Sequence, residues 1–135
     1  MKGDKLLKAL EIIEQVFHLE GRVIPVTQTV VNLAIHFQDG STAVGEHILD
    51  EKITEPKKIN RVELTPAAKL NPVAQTALEA ADFIIIGPGD YYASLMATLL
   101  PTGIKDAFAR TKAKVVYMIN LMTRFTQTHQ MIILN

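Results

Sequence analysis

The chain has no cysteine and no tryptophan, and aromatic residues make up only 6% of it. Without cysteine there is no disulfide framework, no thiolate nucleophile and no cysteine-bound metal. That lack fits a cytoplasmic protein. Charge of one sign is missing too: 14 basic residues balance 14 acidic ones over 135 residues. A neutral chain has no electrostatic bias toward nucleic acid or an anionic membrane surface. Long uncharged apolar runs, internal repeats and low-complexity tracts are absent from the sequence. The N-terminal MKGDKLLKALEIIEQ is too charged to read as a signal peptide or a membrane span, and the longest apolar runs are strand-sized.

What is present is enough apolar material, 48%, for a real core in one domain or part of one. Four apolar residues in a row, Phe83–Ile86, three of them β-branched, predict a strand buried on both faces. Gly87-Pro88-Gly89 ends that strand. Asp90 then stands as N-cap of a helical pattern through Leu95, Met96, Leu99 and Leu100. Strand, glycine turn and helix start in succession form the local geometry of an anion site. They also form an ordinary strand-to-helix turn, and Gly-x-Gly alone does not separate the two.

The rest of the chain builds around this stretch. Helical spacing of Leu6, Leu7, Leu10, Ile13 and Val16-Phe17 predicts an amphipathic helix from about Asp4 to His18, stopped by Gly21. Arg22–Thr27 reads as a short extended segment, with Pro25 placing it at a sheet edge or a bend. Val30–Phe37 and Thr42–Ile48 predict a hairpin turning at Asp39-Gly40, and Asn60–Leu64 a third extended run. Asp50–Lys58 reads as an exposed connection. Val73–Ala81 predicts a short helix with Pro72 in its first turn. Helices are expected over Tyr91–Leu100 and Ile104–Thr111, broken at Pro101-Thr102-Gly103, then a buried-type strand over Lys114–Ile119.

The predicted class is α/β, Rossmann-like, with a mostly parallel sheet and a small antiparallel β-hairpin insertion. The expected layout is a single partial domain over 1–135: helix and edge strand in 4–29, β insertion in 30–64, and a βαβ nucleotide-site unit in 65–135. Two parallel strands are few for a sheet that needs both faces covered. The apolar Met131–Leu134 adds to the expectation of a piece of a larger domain, or of a chain that needs a partner; exposed sheet edges admit a homo-oligomer.

Ligands of open α/β sheets bind beyond the carboxyl ends of the strands. Two loops qualify: Gly87-Pro88-Gly89-Asp90 with Tyr91, Tyr92 and Ser94, and Asn120-Leu121-Met122-Thr123. If the strands are neighbours, Ser94, Asn120 and Thr123 can donate to a phosphate or hydroxyl, and Tyr91 or Tyr92 can stack on a base or sugar. Asp90 works against a bare phosphate unless a metal or a sugar hydroxyl lies between. Thr27, Gln28, Thr29 and Asn32 either reach the same crevice or serve turn and edge roles. His18, His36, His47 and His129 lack metal-ligand spacing, and no Ser-His-Asp ordering or Walker lysine is present, so no catalytic residue is legible.

RVIPVT, a strand ending FQDG, ADFIIIGPGDYYASLMATLLPTGIKDAF and VVYMINLMT occur in the order and spacing of a known family. From Leu6 to Thr128 the chain resembles the bacterial gluconeogenesis factor family, CofD-like proteins related to the 2-phospho-L-lactate transferase of coenzyme F420 biosynthesis. The resemblance implies a Rossmann-like fold with a UDP-sugar ligand and a regulatory role in carbon metabolism and cell shape. Its implied ligand-binding residues are Gly87, Pro88, Gly89, Asp90, Tyr92, Ser94, Asn120, Met122, Thr123 and Thr27. The alternative it implies is an enzyme transferring a phosphorylated hydroxy acid from a guanosine nucleotide donor to a deazaflavin, with a divalent metal; GPG and NLMT look closer to the regulatory branch. Three departures stand out. The family's opening Gly-rich nucleotide loop and its sequence beyond NLMT have no counterpart here, so the chain resembles a central fragment of roughly two-fifths. Asp90 stands where the family has serine. HQMIILN, after Thr128, no longer resembles the family.

Overall fold

A computed structural model describes residues 3–45, 48 and 57–122. The Thr123 candidate, His47, His129 and the apolar Met131–Leu134 lie outside the described residues. Helix α1 (Gly3–Val16) forms as its spacing predicts and ends two residues before the expected His18. His18 takes a left-handed φ of 49°, with the Leu19 amide bonded to the Glu14 carbonyl at 3.0 Å and the His18 amide to the Gln15 carbonyl at 3.3 Å. These paired bonds satisfy the helix's last carbonyls and end it earlier than Gly21 would.

Strands β1 (Asn32–Phe37), β2 (Thr42–Val44) and β3 (Ile59–Thr65) form an antiparallel sheet in the order β2-β1-β3. The Asp39-Gly40 turn falls where predicted, with Gly40 at φ 83° and Phe37 and Ser41 closing it by a 2.9 Å bond. The third extended run forms β3 and pairs with β1, so the insertion is a sheet of three strands. Leu33 pairs with Leu64 and Ile35 with Val62, so one face is apolar. Ile35 is fully buried there, between Leu33 and Phe37. The opposite face carries His36, Arg61 and Glu63, with His36 Nε2 2.9 Å from Glu63 Oε1. This alternation is that of a sheet wet on one side.

Arg22–Thr27 joins no sheet; of the edge position or bend that Pro25 allowed, the chain takes a bend, at Val26. It is fastened instead by Asn71, whose amide donates to the Pro25 carbonyl at 3.0 Å and whose backbone N–H donates to the Val26 carbonyl at 2.8 Å. Asn71 also caps α2 (Pro72–Ala80), accepting from the Val73 amide at 3.0 Å. Helix α2 packs on α4 (Ile104–Arg110) through Leu70, Ala74, Ile104 and Ala107, with Ile24 and Val26 laid against them.

Strand β4 (Phe83–Ile86) pairs in parallel with β5 (Lys114–Tyr117), Ile84 opposite Val115 and Ile86 opposite Tyr117. Among the described residues the antiparallel and parallel sheets are thus separate, three strands and two, in an α/β arrangement. Burial of β4 on both faces is not observed: Ile84 is buried, whereas Phe83 is 61% and Ile85 64% exposed. In this chain no described element covers that face.

Between β4 and α4 the predicted helix begins differently. Tyr91–Met96 is π-helical, continuing into a short α3 (Ala97–Leu99). Both Ser94 and Leu95 donate to the Asp90 carbonyl, at 2.9 and 3.0 Å, and this wider turn is the π form. Tyr92, Ala93, Ala97 and Leu100 of this stretch lie on the apolar face of the antiparallel sheet and join the two halves.

Candidate functional site

Parallel pairing brings the carboxyl ends of β4 and β5 side by side. The Met118 amide continues the ladder by donating to the Ile86 carbonyl at 2.9 Å. One step further on, Asn120 Nδ2 donates to the carbonyl of Gly89 at 2.9 Å. The two loops expected to face one another across a crevice are therefore tied together, side chain to backbone.

Gly87, Pro88, Gly89 and Ser94 line a cavity of about 560 Å³ running back over β4. Gly89 sits close to Ser94: a Cβ on Gly89 would stand 3.2 Å from the Ser94 Cβ, whereas one on Gly87 would meet nothing within 4 Å. Two glycines of one motif thus do different things. Gly89 allows the loop to fold down on the helical segment, and Gly87 leaves the strand end open.

The other candidates are dispersed. Asp90 occupies the N-cap position, but its side chain makes no capping hydrogen bond; its backbone carbonyl takes the first turn's amides instead. Tyr92 packs toward the antiparallel sheet and meets Tyr91 edge-to-face at 4.8 Å. Burial, with Tyr91 adding to it, pushes the Tyr92 phenol above its ordinary range. Met122 is 84% exposed. Thr27 lines a second cavity, of about 460 Å³, and its hydroxyl oxygen accepts from the Thr29 amide at 3.2 Å, a turn role.

Ile24, Val26, Leu95 and Thr98 also line the larger cavity, and the sequence reading did not nominate them. Thr98 had a signal, one helical turn beyond Ser94; its hydroxyl donates to the Ser94 carbonyl at 2.8 Å. Ile24 and Val26 had none, because Asn71, 45 positions beyond Val26, holds them there. For a divalent metal, Asp90 is the carboxylate of the glycine loop, and no group of three or more His, Cys, Asp or Glu among the described residues could hold an ion. The described residues do not by themselves make a metal centre. No helix among them is long and apolar enough to cross a membrane.

Comparison with known proteins agrees with this layout. The family model described as 2-phospho-L-lactate transferase CofD matches residues 1–134, continuing past Thr128 through the stretch expected to depart from the family. The gluconeogenesis factor of Listeria monocytogenes is 35% identical over 127 residues, covering 93% of this chain and 38% of that protein. The gluconeogenesis factor of Listeria innocua is 33% identical over the same coverage. A crystal structure of a UPF0052 family member from Bacillus halodurans superposes with a TM-score of 0.84 at 32% identity, over 92% of this chain and 39% of that one. The chain spans about two-fifths of the length of these relatives. With its GPG and NLM loops meeting at the ends of two parallel strands, it belongs to the CofD family and is similar within it to the bacterial gluconeogenesis factors.

Proposed function

We propose that this chain contributes one wall of a nucleotide-sugar site in a cytoplasmic, gluconeogenesis-factor-like regulatory protein acting on carbon metabolism and cell shape. The observation that carries the reading is the 2.9 Å bond from Asn120 to the Gly89 carbonyl, which joins two strand-end loops into one rim. Rims at the carboxyl ends of parallel strands are where nucleotide ligands of open α/β sheets bind. The exposed Gly87 leaves room there for a phosphate to approach the backbone. The polar groups nearby, Ser94 and Asn120, suit orientation of a ligand rather than bond cleavage. UDP-N-acetylglucosamine is the ligand proposed, in keeping with the resemblance to the regulatory branch. Isothermal titration of a full-length protein containing this sequence should give saturable heat with UDP-N-acetylglucosamine; absence of heat would overturn the reading.

A further inference from the structure

Large apolar side chains left in solvent gather at two places in the described chain, α1 and the β4/β5 sheet. Along α1, Leu6, Leu10, Ile13 and, just past its end, Phe17 recur at steps of four, three and four, so they share one face. Leu6 and Ile13 are exposed, and Phe17 is 69% exposed. Among the described residues, none of α1 belongs to either buried core cluster. The helix carries an apolar stripe and has no core to put it in.

The sheet shows the converse. Parallel register sets Ile85 beside Val116, and the period-two alternation of strands gives Phe83, Ile85 and Val116 one face. All three are exposed, while Ile84 on the opposite face is buried. Unbroken apolar strands of this kind belong to parallel sheets with both faces covered, and two strands alone do not make a stable one.

Between these two places the chain closes on itself: β1 packs with β3, and α2 with α4. Exposed apolar residues there, such as Val44 and Val73, stand singly. About three-fifths of the Listeria monocytogenes relative, and of the Bacillus halodurans structure, lies outside the match to this chain. That length suffices for further strands and helices of the same layered domain. A second copy of this chain fits less well. Two-fold symmetry would set like edge strands antiparallel, whereas the apolar run of β4 is that of a strand inside a parallel sheet.

We propose that the stripe of α1 and the bare face of β4/β5 are docking surfaces for the remainder of a CofD-family chain. That remainder lays a helix over Phe83, Ile85 and Val116 and packs apolar side chains against Leu6, Ile13 and Phe17. The assignment is independent of what the glycine loop binds.

The lack of cysteine makes a direct test available. Ile85→Cys, Val116→Cys and Phe17→Cys each place a single thiol at a bare position, and Gln38→Cys, beside the hairpin turn, is the exposed control. In the 135-residue chain all four should react with a soluble maleimide at the rate of a free thiol. In a full-length protein containing this sequence the first three should slow by about tenfold or more, because a packed face must open before it reacts. Gln38→Cys should keep its rate. Thermal melts establish that the variants are folded, and one folded variant on each surface suffices. Equal rates in the two proteins at either surface would overturn the docking there. Protection already present in the 135-residue chain would overturn it as well, and sedimentation would then show whether a second copy or the chain's own residues do the covering.

Discussion

Asn71 is 2% exposed and donates from its side-chain amide to the carbonyl of Pro25 at 3.0 Å. The same side chain caps α2 through the Val73 amide, so one buried residue starts a helix and fastens a segment 46 positions away. That segment supplies Ile24 and Val26 to the cavity behind the glycine loop. A packing residue thereby shapes the site without touching it.

Replacing Asn71 should be costly. Asn71→Ala removes the cap and the side-chain bond to Pro25 together, while the backbone bond to Val26 stays, and is expected to lower stability by about 2–3 kcal/mol in urea unfolding. Asn71→Ser keeps an oxygen for the cap and loses the bond to Pro25, at about 1 kcal/mol. No loss in Asn71→Ser would mean that the bond to Pro25 contributes nothing, and equal losses in the two variants would mean the same of the cap.

The two glycines of the loop should separate on mutation. Gly89→Ala places a methyl 3.2 Å from the Ser94 Cβ, tight enough that the loop or helix must shift. An overpacked contact of this kind costs about 1–3 kcal/mol. Gly87→Ala meets nothing within 4 Å and should leave the melting temperature unchanged, while its methyl narrows the approach to the strand end. Ligand titration on Gly87→Ala, together with the two melts, checks the pair.

Asn120→Ala cuts the tie between the loops. The residue is exposed, so its loss should hardly affect folding. Freed from the Gly89 carbonyl, the rim should bind UDP-N-acetylglucosamine about threefold to tenfold less tightly, one hydrogen bond's worth. Unchanged affinity would show that the Asn120 bond does not organise the site.

The link between α2 and α4 should respond to pH and salt. Arg110 bonds Glu79 Oε1 through both Nε at 2.8 Å and Nη2 at 2.7 Å. Arg110 first, then Gln75, holds the Glu79 carboxyl below its ordinary value of 4.5. A depressed folded pKa contributes stability that is present above about pH 4.5 and lost as the pH falls through the lower, folded value. Acid unfolding of Glu79→Gln should therefore be less steep in that window. Because the pair is exposed, added salt should shrink the difference between wild type and variant. A difference that is independent of salt would point to packing instead.

Much of the local structure was legible from residue order, because its causes are local. Alternation in Leu33–Phe37 and the Asp39-Gly40 turn define the first two antiparallel strands, and Pro72 after Asn71 marks the start of α2. The β-branched Ile84–Ile86 run and its glycine stop place β4 and the loop after it. The helix ends close to the expected His18, but His18 itself and not Gly21 takes the left-handed turn, because the Glu14 and Gln15 carbonyls are satisfied there. The π-helical start at Tyr91 was missed because its period differs from α only in which amide reaches Asp90.

Family, class and the position of the glycine loop were determined by the sequence alone, since they reside in the types and spacing of consecutive residues. Tertiary structure decided which loops meet. Parallel registration of β4 with β5 carries Asn120 to Gly89, whereas packing on the antiparallel sheet draws Tyr92 toward Leu33, Ile35 and Phe37. It also decided that Thr27 lines a separate cavity, and that Ile24 and Val26 belong to the first. The physical reason is range. Strand and turn preferences act over a few residues, but the walls of a cavity come from segments held together by hydrogen bonds and burial across dozens of positions.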